Sequence, residues 1–177
     1  MITDTDIVLM RQVKKGDEAA LRELIDRYRE RLFRMAYGLL CDRDAAADAV
    51  QETFIRLWTC VRRYDPRYTV AAWLYTICAR RCYDELRHRR RHREMLSEMP
   101  DIQVEADTME AGEMLDLLHR AVAALPIKQR IVYQLREVED LSTEETAKAT
   151  RMTVDQVKAN LWNARNTVRK KLNRYGI

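Results

Sequence analysis

Along most of the chain apolar residues recur at spacings of three and four, and no strand-like alternating run with its turn signals interrupts them. Gly16 ends a short helix over residues 4–14, and Asp17 caps a second that runs to about Leu40 with Leu21, Leu24, Ile25, Tyr28, Leu32, Met35 and Leu39 inward. Asp42 or Asp44 caps a third, on which Ala47, Val50, Phe54, Leu57 and Val61 make one narrow buried stripe. The tract Arg62 to Thr69, RRYDPRYT, must be a loop, because Pro66 disfavours helical backbone at Asp65. A fourth helix from Val70 to about Arg91 turns Ala71, Leu74, Cys78, Cys82 and Leu86 inward.

Periodicity resumes near Thr108, with Met114, Leu115, Leu118, Val122 and Leu125 as a core stripe, and Pro126 suits the first position of the next helix. Ser142 with Glu145 and Thr153 with Gln156 make two capping boxes eleven residues apart, with Arg151 and Met152 as the turn between them. That is a helix-turn-helix, whose last helix faces inward through Val154, Val157, Leu161, Ala164 and Val168. The pattern predicts an all-α fold of two small helical domains, 1–93 and 111–177, joined by a flexible acidic linker, 94–110. The second is a four-helix domain containing the helix-turn-helix.

Composition supports this. Gly and Pro number only 4 and 3 in 177 residues, against 34% charged residues. The net charge of +4 conceals an uneven distribution. Residues 1–93 hold 20 basic and 14 acidic side chains, 94–118 hold 8 acids and no base, and 119–177 hold 12 basic and 6 acidic. Two basic lobes around an acidic tether suggest a nucleic-acid partner, since each neutralised phosphate releases counterions. In the free protein the tether is expected to lie against the basic lobes and weaken DNA binding.

No apolar run approaches the roughly 20 residues of a membrane span, and the N-terminus MITDTD is unlike a signal peptide, so a cytoplasmic location without membrane insertion is expected. Cys41, Cys60, Cys78 and Cys82 lack the spacing of a zinc site and read as small buried apolar residues. No nucleophile, metal set or phosphate loop stands out, so neither catalysis nor a cofactor is expected.

The outward faces carry the functional signal. Opposite the stripe of the third helix, Asp48, Gln51, Glu52 and Thr59 surround Ile55, with Trp58 at their edge, a composition suited to a protein partner. The loop after it offers arginines for phosphates and tyrosines for stacking on bases, Tyr64 and Arg67 among them; a solvated basic connection is the plainer alternative. Trp73, Ile77, Arg80, Asp84 and Arg87 share the outer side of the fourth helix, ahead of the run RHRRRHR. On the last helix Gln156, Lys158, Ala159, Trp162 and Asn163 face outward with Asp155 and Asn166, reasonable for insertion in a major groove.

These stretches resemble the bacterial sigma-70 superfamily in its extracytoplasmic-function (ECF) branch. DAVQETFIRLW, residues 48–58, is similar to the helix D-x-V-Q-E-T-F-x-x-x-W that grips the clamp helices of RNA polymerase's largest subunit. WLYTICARRCYDELR, from Trp73, resembles the −10 reading helix, with Arg80 in place of a common Asn and Cys78 in place of a small Ala. LPIKQRIVYQLREVEDLS and MTVDQVKANLWNAR resemble the second domain and its −35 reading helix, with Asn160 and Asn163 where Arg is common and Arg151 where Gly is usual.

The resemblance implies an initiation subunit that binds core RNA polymerase and promoter DNA. Core docking falls to Asp48, Gln51, Glu52, Ile55 and Trp58, −10 contact to Tyr64, Arg67, Trp73, Arg80 and Asp84, and −35 contact to Gln156, Lys158, Ala159, Trp162 and Asn163. Family members are often held inactive by an anti-sigma factor; whether this chain has one stays open. A stand-alone helix-turn-helix regulator is the alternative, but it leaves DAVQETFIRLW without a task.

Overall fold

The computed structural model describes residues 4–95 and 113–173, apart from the side chains of residues 4, 93, 94 and 113–116. The linker and the tether proposed to lie on the lobes fall largely outside the described residues. Within them the chain is helical throughout: α1 (Asp4–Val13), α2 (Glu18–Leu40), α3 (Arg43–Cys60), α4 (Val70–Met95), α5 (Glu113–Ala123), α6 (Ile127–Tyr133), α7 (Thr143–Thr150) and α8 (Val154–Asn173). A 3-10 turn, Val61–Arg63, follows α3, and one π-helical turn, Gln134–Val138, extends α6.

Caps written in the sequence set the boundaries. The Asp17 carboxylate accepts from the amides of Ala19 and Ala20, and Asp42, rather than Asp44, accepts from that of Ala45. Both capping boxes close: Glu145 N–H donates to Ser142 Oγ (3.0 Å) while Ser142 N–H donates to Glu145 Oε2 (2.8 Å). The corresponding bonds join Thr153 and Gln156 at 3.0 and 3.2 Å. Each satisfies helix N-terminal amides that have no partner within the helix. Arg151 ends α7 in the left-handed region (φ 57°), where its Cβ is crowded and glycine is favoured.

Helices α1 to α4 enclose the first core around Leu24, Leu32, Met35, Leu39, Leu57, Leu74 and Cys78. Asp6 on α1 is held there by Arg27 and by the Tyr28 hydroxyl, 2.5 Å away, so burial first and then this bond push the Tyr28 pKa well above the usual tyrosine range. The third-helix stripe needs one correction. Ala47 is exposed, and Ala46, Ala49 and Thr53 join Val50, Phe54 and Leu57 inside. On α4, Ala72, Tyr75 and Ala79 are buried beside Leu74, Cys78, Cys82 and Leu86, while Ala71 is only partly so.

The second lobe is built on α8, whose Ala164 and Val168 pack with Ala121, Val122 and Leu125, and whose Val157 and Leu161 pack with Val132. Ile131, Leu135, Leu141 and Ala149 also belong to this lobe, yet they are buried in one continuous cluster with the core of the first. The two lobes therefore pack directly on each other.

Candidate functional site

Helix α3 presents the mixed face the sequence indicated. Ile55 is 48% and Trp58 38% exposed, with Asp48, Gln51 and Thr59 exposed around them and Glu52 half-buried. Glu52 is occupied on one side by Arg56, which donates to it at 2.8 Å along the helix. Sequence reasoning missed the neighbouring groove of about 630 Å³ between α2 and α3, lined by Asp26, Glu30, Phe33, Val50, Gln51 and Phe54. Gln51 belongs to both surfaces, so the outward face of α3 continues into a cleft with aromatic walls. The apolar spacing of α2 marked its core side but gave no sign that Phe33 stands at a rim.

The loop before α4 is braced. Tyr64 donates to the carbonyl of Tyr68 (2.7 Å) and its ring meets Trp73 edge-on at 5.5 Å. Trp73 is thus half-buried, not the protruding residue its position suggested, because Tyr64 covers one face of it. Arg67 is exposed but clasps Asp65 through Nε and Nη2, and its hydrogen bonds hold the Asp65 carboxyl down at about 2. Exposed ion pairs of this kind are weak, so a phosphate can take the place of Asp65 at little cost. Asp84 is exposed on the next turns of α4.

Arg80 behaves differently from the other residues assigned to this face. Its guanidinium donates to the carbonyls of Lys148 (2.7 Å) and Ala149 (3.0 Å) at the end of α7. It is therefore joined to the second lobe rather than turned outward with Asp84. Burial first and then nearby Arg151 pull its pKa below the ordinary arginine value. Across the same contact, Lys148 Nζ sits 3.4 Å over the ring of Tyr68.

On α8 the sequence reading and the structure agree on orientation. Gln156, Lys158, Ala159, Trp162 and Asn163 are all exposed, Trp162 by 67%. Arg165, one turn beyond Trp162, is drawn to Glu137 at 2.7 Å and so does not extend this row as a free cation. Cys78 and Cys82 are buried and Cys41 and Cys60 partly so, all with free thiols. Among the described residues no group of His, Cys, Asp and Glu could hold a metal, and no helix is long and apolar enough to cross a membrane.

Comparison with known proteins gives a consistent result. Residues 24–92 match the sequence model of sigma-70 region 2, and residues 115–168 match that of sigma-70 region 4. The chain is similar to the ECF RNA polymerase sigma factor SigW of Bacillus subtilis, 25% identical over 176 residues that cover 92% of this chain and 94% of that protein. RNA polymerase sigma factor SigV of the same organism is 29% identical over 156 residues, covering 88% and 93%. The ECF RNA polymerase sigma-E factor of Escherichia coli is 27% identical over 184 residues, covering 95% and 94%. Among solved structures the fold is shared with CnrH in complex with the cytosolic domain of CnrY (TM-score 0.71, 24% identity, 97% and 99% covered). It is also shared with RpoE of Bartonella quintana in complex with the anti-sigma factor NepR (TM-score 0.73, 23% identity, 86% and 96% covered).

Proposed function

Because the chain belongs to the sigma-70 family, in its extracytoplasmic-function branch, we propose a division of labour for the initiation of transcription among its outward faces. The protein is an initiation factor that binds core RNA polymerase and recognises −10 and −35 promoter elements. Helix α3 docks the polymerase through Asp48, Gln51, Glu52, Ile55 and Trp58, with the groove against α2 taking apolar side chains of the partner. Tyr64, Arg67, Trp73 and Asp84 meet the opened −10 strand, where the Tyr64 and Trp73 rings supply a stacking surface. Arg80 joins them only after leaving α7. Gln156, Lys158, Ala159, Trp162 and Asn163 enter the major groove at −35.

Core polymerase and promoter DNA are the working partners, and an anti-sigma factor is the competitor for the same faces. The factor acts in the cytoplasm by binding and catalyses nothing itself. The observation that carries the reading is the exposure of Ile55 and Trp58 within a polar and acidic ring, because a self-sufficient regulator has no use for it. Capture by immobilised core polymerase in the absence of DNA tests it. Retention of the chain at micromolar concentration is expected, and passage through the column in the presence of free DNA binding would favour a stand-alone regulator.

A further inference from the structure

The side chains on the outer row of α8 are not equally free to read bases. An amide side chain selects adenine by using both of its ends, the oxygen accepting from N6 and the nitrogen donating to N7, so both ends must be unengaged. Gln156 fails this condition. Its Oε1 accepts from Thr153 N–H at 3.0 Å in the capping box, which leaves only its NH2 group to donate, as to a phosphate. Asn160 is half-buried, and its Nδ2 donates to the carbonyl of Gln156 at 2.7 Å. Arg165 is paired with Glu137. Lys158 can only donate and Asp155 can only accept. Asn163 differs from all of these: it is exposed, and its amide has no hydrogen-bond partner among the described residues.

Position along the helix favours the same residue. From Asp155 to Asn163 the axis rises about 12 Å at about 1.5 Å per residue, matching the roughly 12 Å width of the B-DNA major groove. Asn166, nearly a turn farther on, is half-buried and outside that span. At about 100° per residue, Trp162 and Asn163 stand on either side of Ala159, whose small side chain lets the backbone approach the base edges. Trp162 is exposed there, and the thymine methyl is the one apolar group the major groove offers it. We propose that Asn163 is the specificity-determining residue of α8, selecting one adenine through N6 and N7, while Trp162 packs on the methyl of a thymine across Ala159. This deepens the −35 reading of the helix and rests on it. Gln156 then holds the helix to the DNA backbone and carries no sequence preference.

Selection from duplexes carrying a randomised window, by the full chain both free and bound to core polymerase, tests the assignment. Helical content by circular dichroism serves as the folding control. The wild-type chain is expected to enrich one motif in which adenine at one position is favoured by about 5- to 150-fold. In Asn163→Ala that preference should fall to about twofold or less while the other positions keep theirs. Two altered bases then locate the contacts. 7-Deazaadenine, which lacks the N7 acceptor, should weaken wild type at the selected adenine and leave Asn163→Ala unmoved. Uracil, which lacks the methyl, should weaken wild type at the selected thymine and leave Trp162→Ala unmoved. A folded Asn163→Ala with the full adenine preference, an altered base that costs wild type and variant equally, or a selection that enriches no motif overturns the proposal. If core polymerase never captures the chain while the motif still depends on Asn163, the initiation reading fails and the base assignment stands. Capture by core polymerase with an adenine preference untouched by Asn163→Ala does the reverse.

Discussion

The docking face proposed on α3 gives the most quantitative prediction. Truncating Ile55 and Trp58 together to Ala removes apolar surface that is partly buried in the fold and partly exposed, so one part of the loss falls on stability and the exposed part on association. Fully burying an isoleucine side chain is worth about 1.5–3 kcal/mol, and Ile55 has 48% still to bury, which leaves about 0.7–1.5 kcal/mol for the partner. A tryptophan buries about 150–250 Å², of which 38% remains exposed at Trp58. At about 25 cal/mol per Å² that contributes about 1.4–2.4 kcal/mol. The sum, about 2–4 kcal/mol, is a drop of about 30- to 700-fold in affinity for core polymerase. Competition of unlabelled variants against a labelled wild-type chain for purified core enzyme measures it, with thermal melting to confirm the fold. A doubly truncated protein that is still folded at the assay temperature and competes within threefold of wild type would refute the assignment of this face.

Other outcomes follow from the same structure. Trp162→Ala and Lys158→Ala should each weaken binding to −35 duplex, by about 1–3 kcal/mol where a base contact is lost, while leaving core affinity unchanged; reduced core capture by either would contradict the separation of roles. Arg151→Gly relieves left-handed strain of about 1 kcal/mol or more and removes a cation that crowds Arg80. Part of that gain is offset by glycine's chain entropy, so a net stabilisation of about 0.5 kcal/mol in urea unfolding is expected, and a loss of stability would argue against it. The raised pKa of Tyr28 makes stability full below pH 10, the unfolded value, and falling above it, because the unfolded tyrosine ionises first. The slope is about 1.4 kcal/mol per pH unit for each such group, so unfolding midpoints of Tyr28→Phe should start lower at pH 8 and converge on wild type by pH 11; parallel curves would exclude the linkage.

How far the fold was legible depended on the kind of signal. Caps are local, and Asp17, Ser142 with Glu145 and Thr153 with Gln156 all closed as their spacing indicated. Large apolar residues also declared their side, as Leu24, Leu57, Leu74 and Leu161 show. Alanine did not. Ala46, Ala47 and Ala49 are equally small and equally apolar, and their type alone did not tell that Ala47 is exposed at the α2/α3 groove while the other two are buried. The outward residues of α3 and α8 were legible because a helix fixes opposite faces once its core stripe is known. Trp73 and Arg80 were not, since each is claimed by a neighbour outside its own helix, Tyr64 in one case and α7 in the other. The packing of the lobes was hidden for a related reason: Ile131, Leu135 and Ala149 have the spacing of core residues, and spacing does not say which core.

The central claim is that this chain directs a polymerase to promoters that carry two elements. Transcription of a fragmented genomic template by purified core enzyme with and without the protein, followed by sequencing of transcript 5′ ends, tests it most directly. The account predicts starts that appear only with the protein, lie downstream of one shared pair of −35 and −10 sequences, and fade with Trp162→Ala. Starts identical to those of core enzyme alone, or new starts with no common upstream pair, would contradict it.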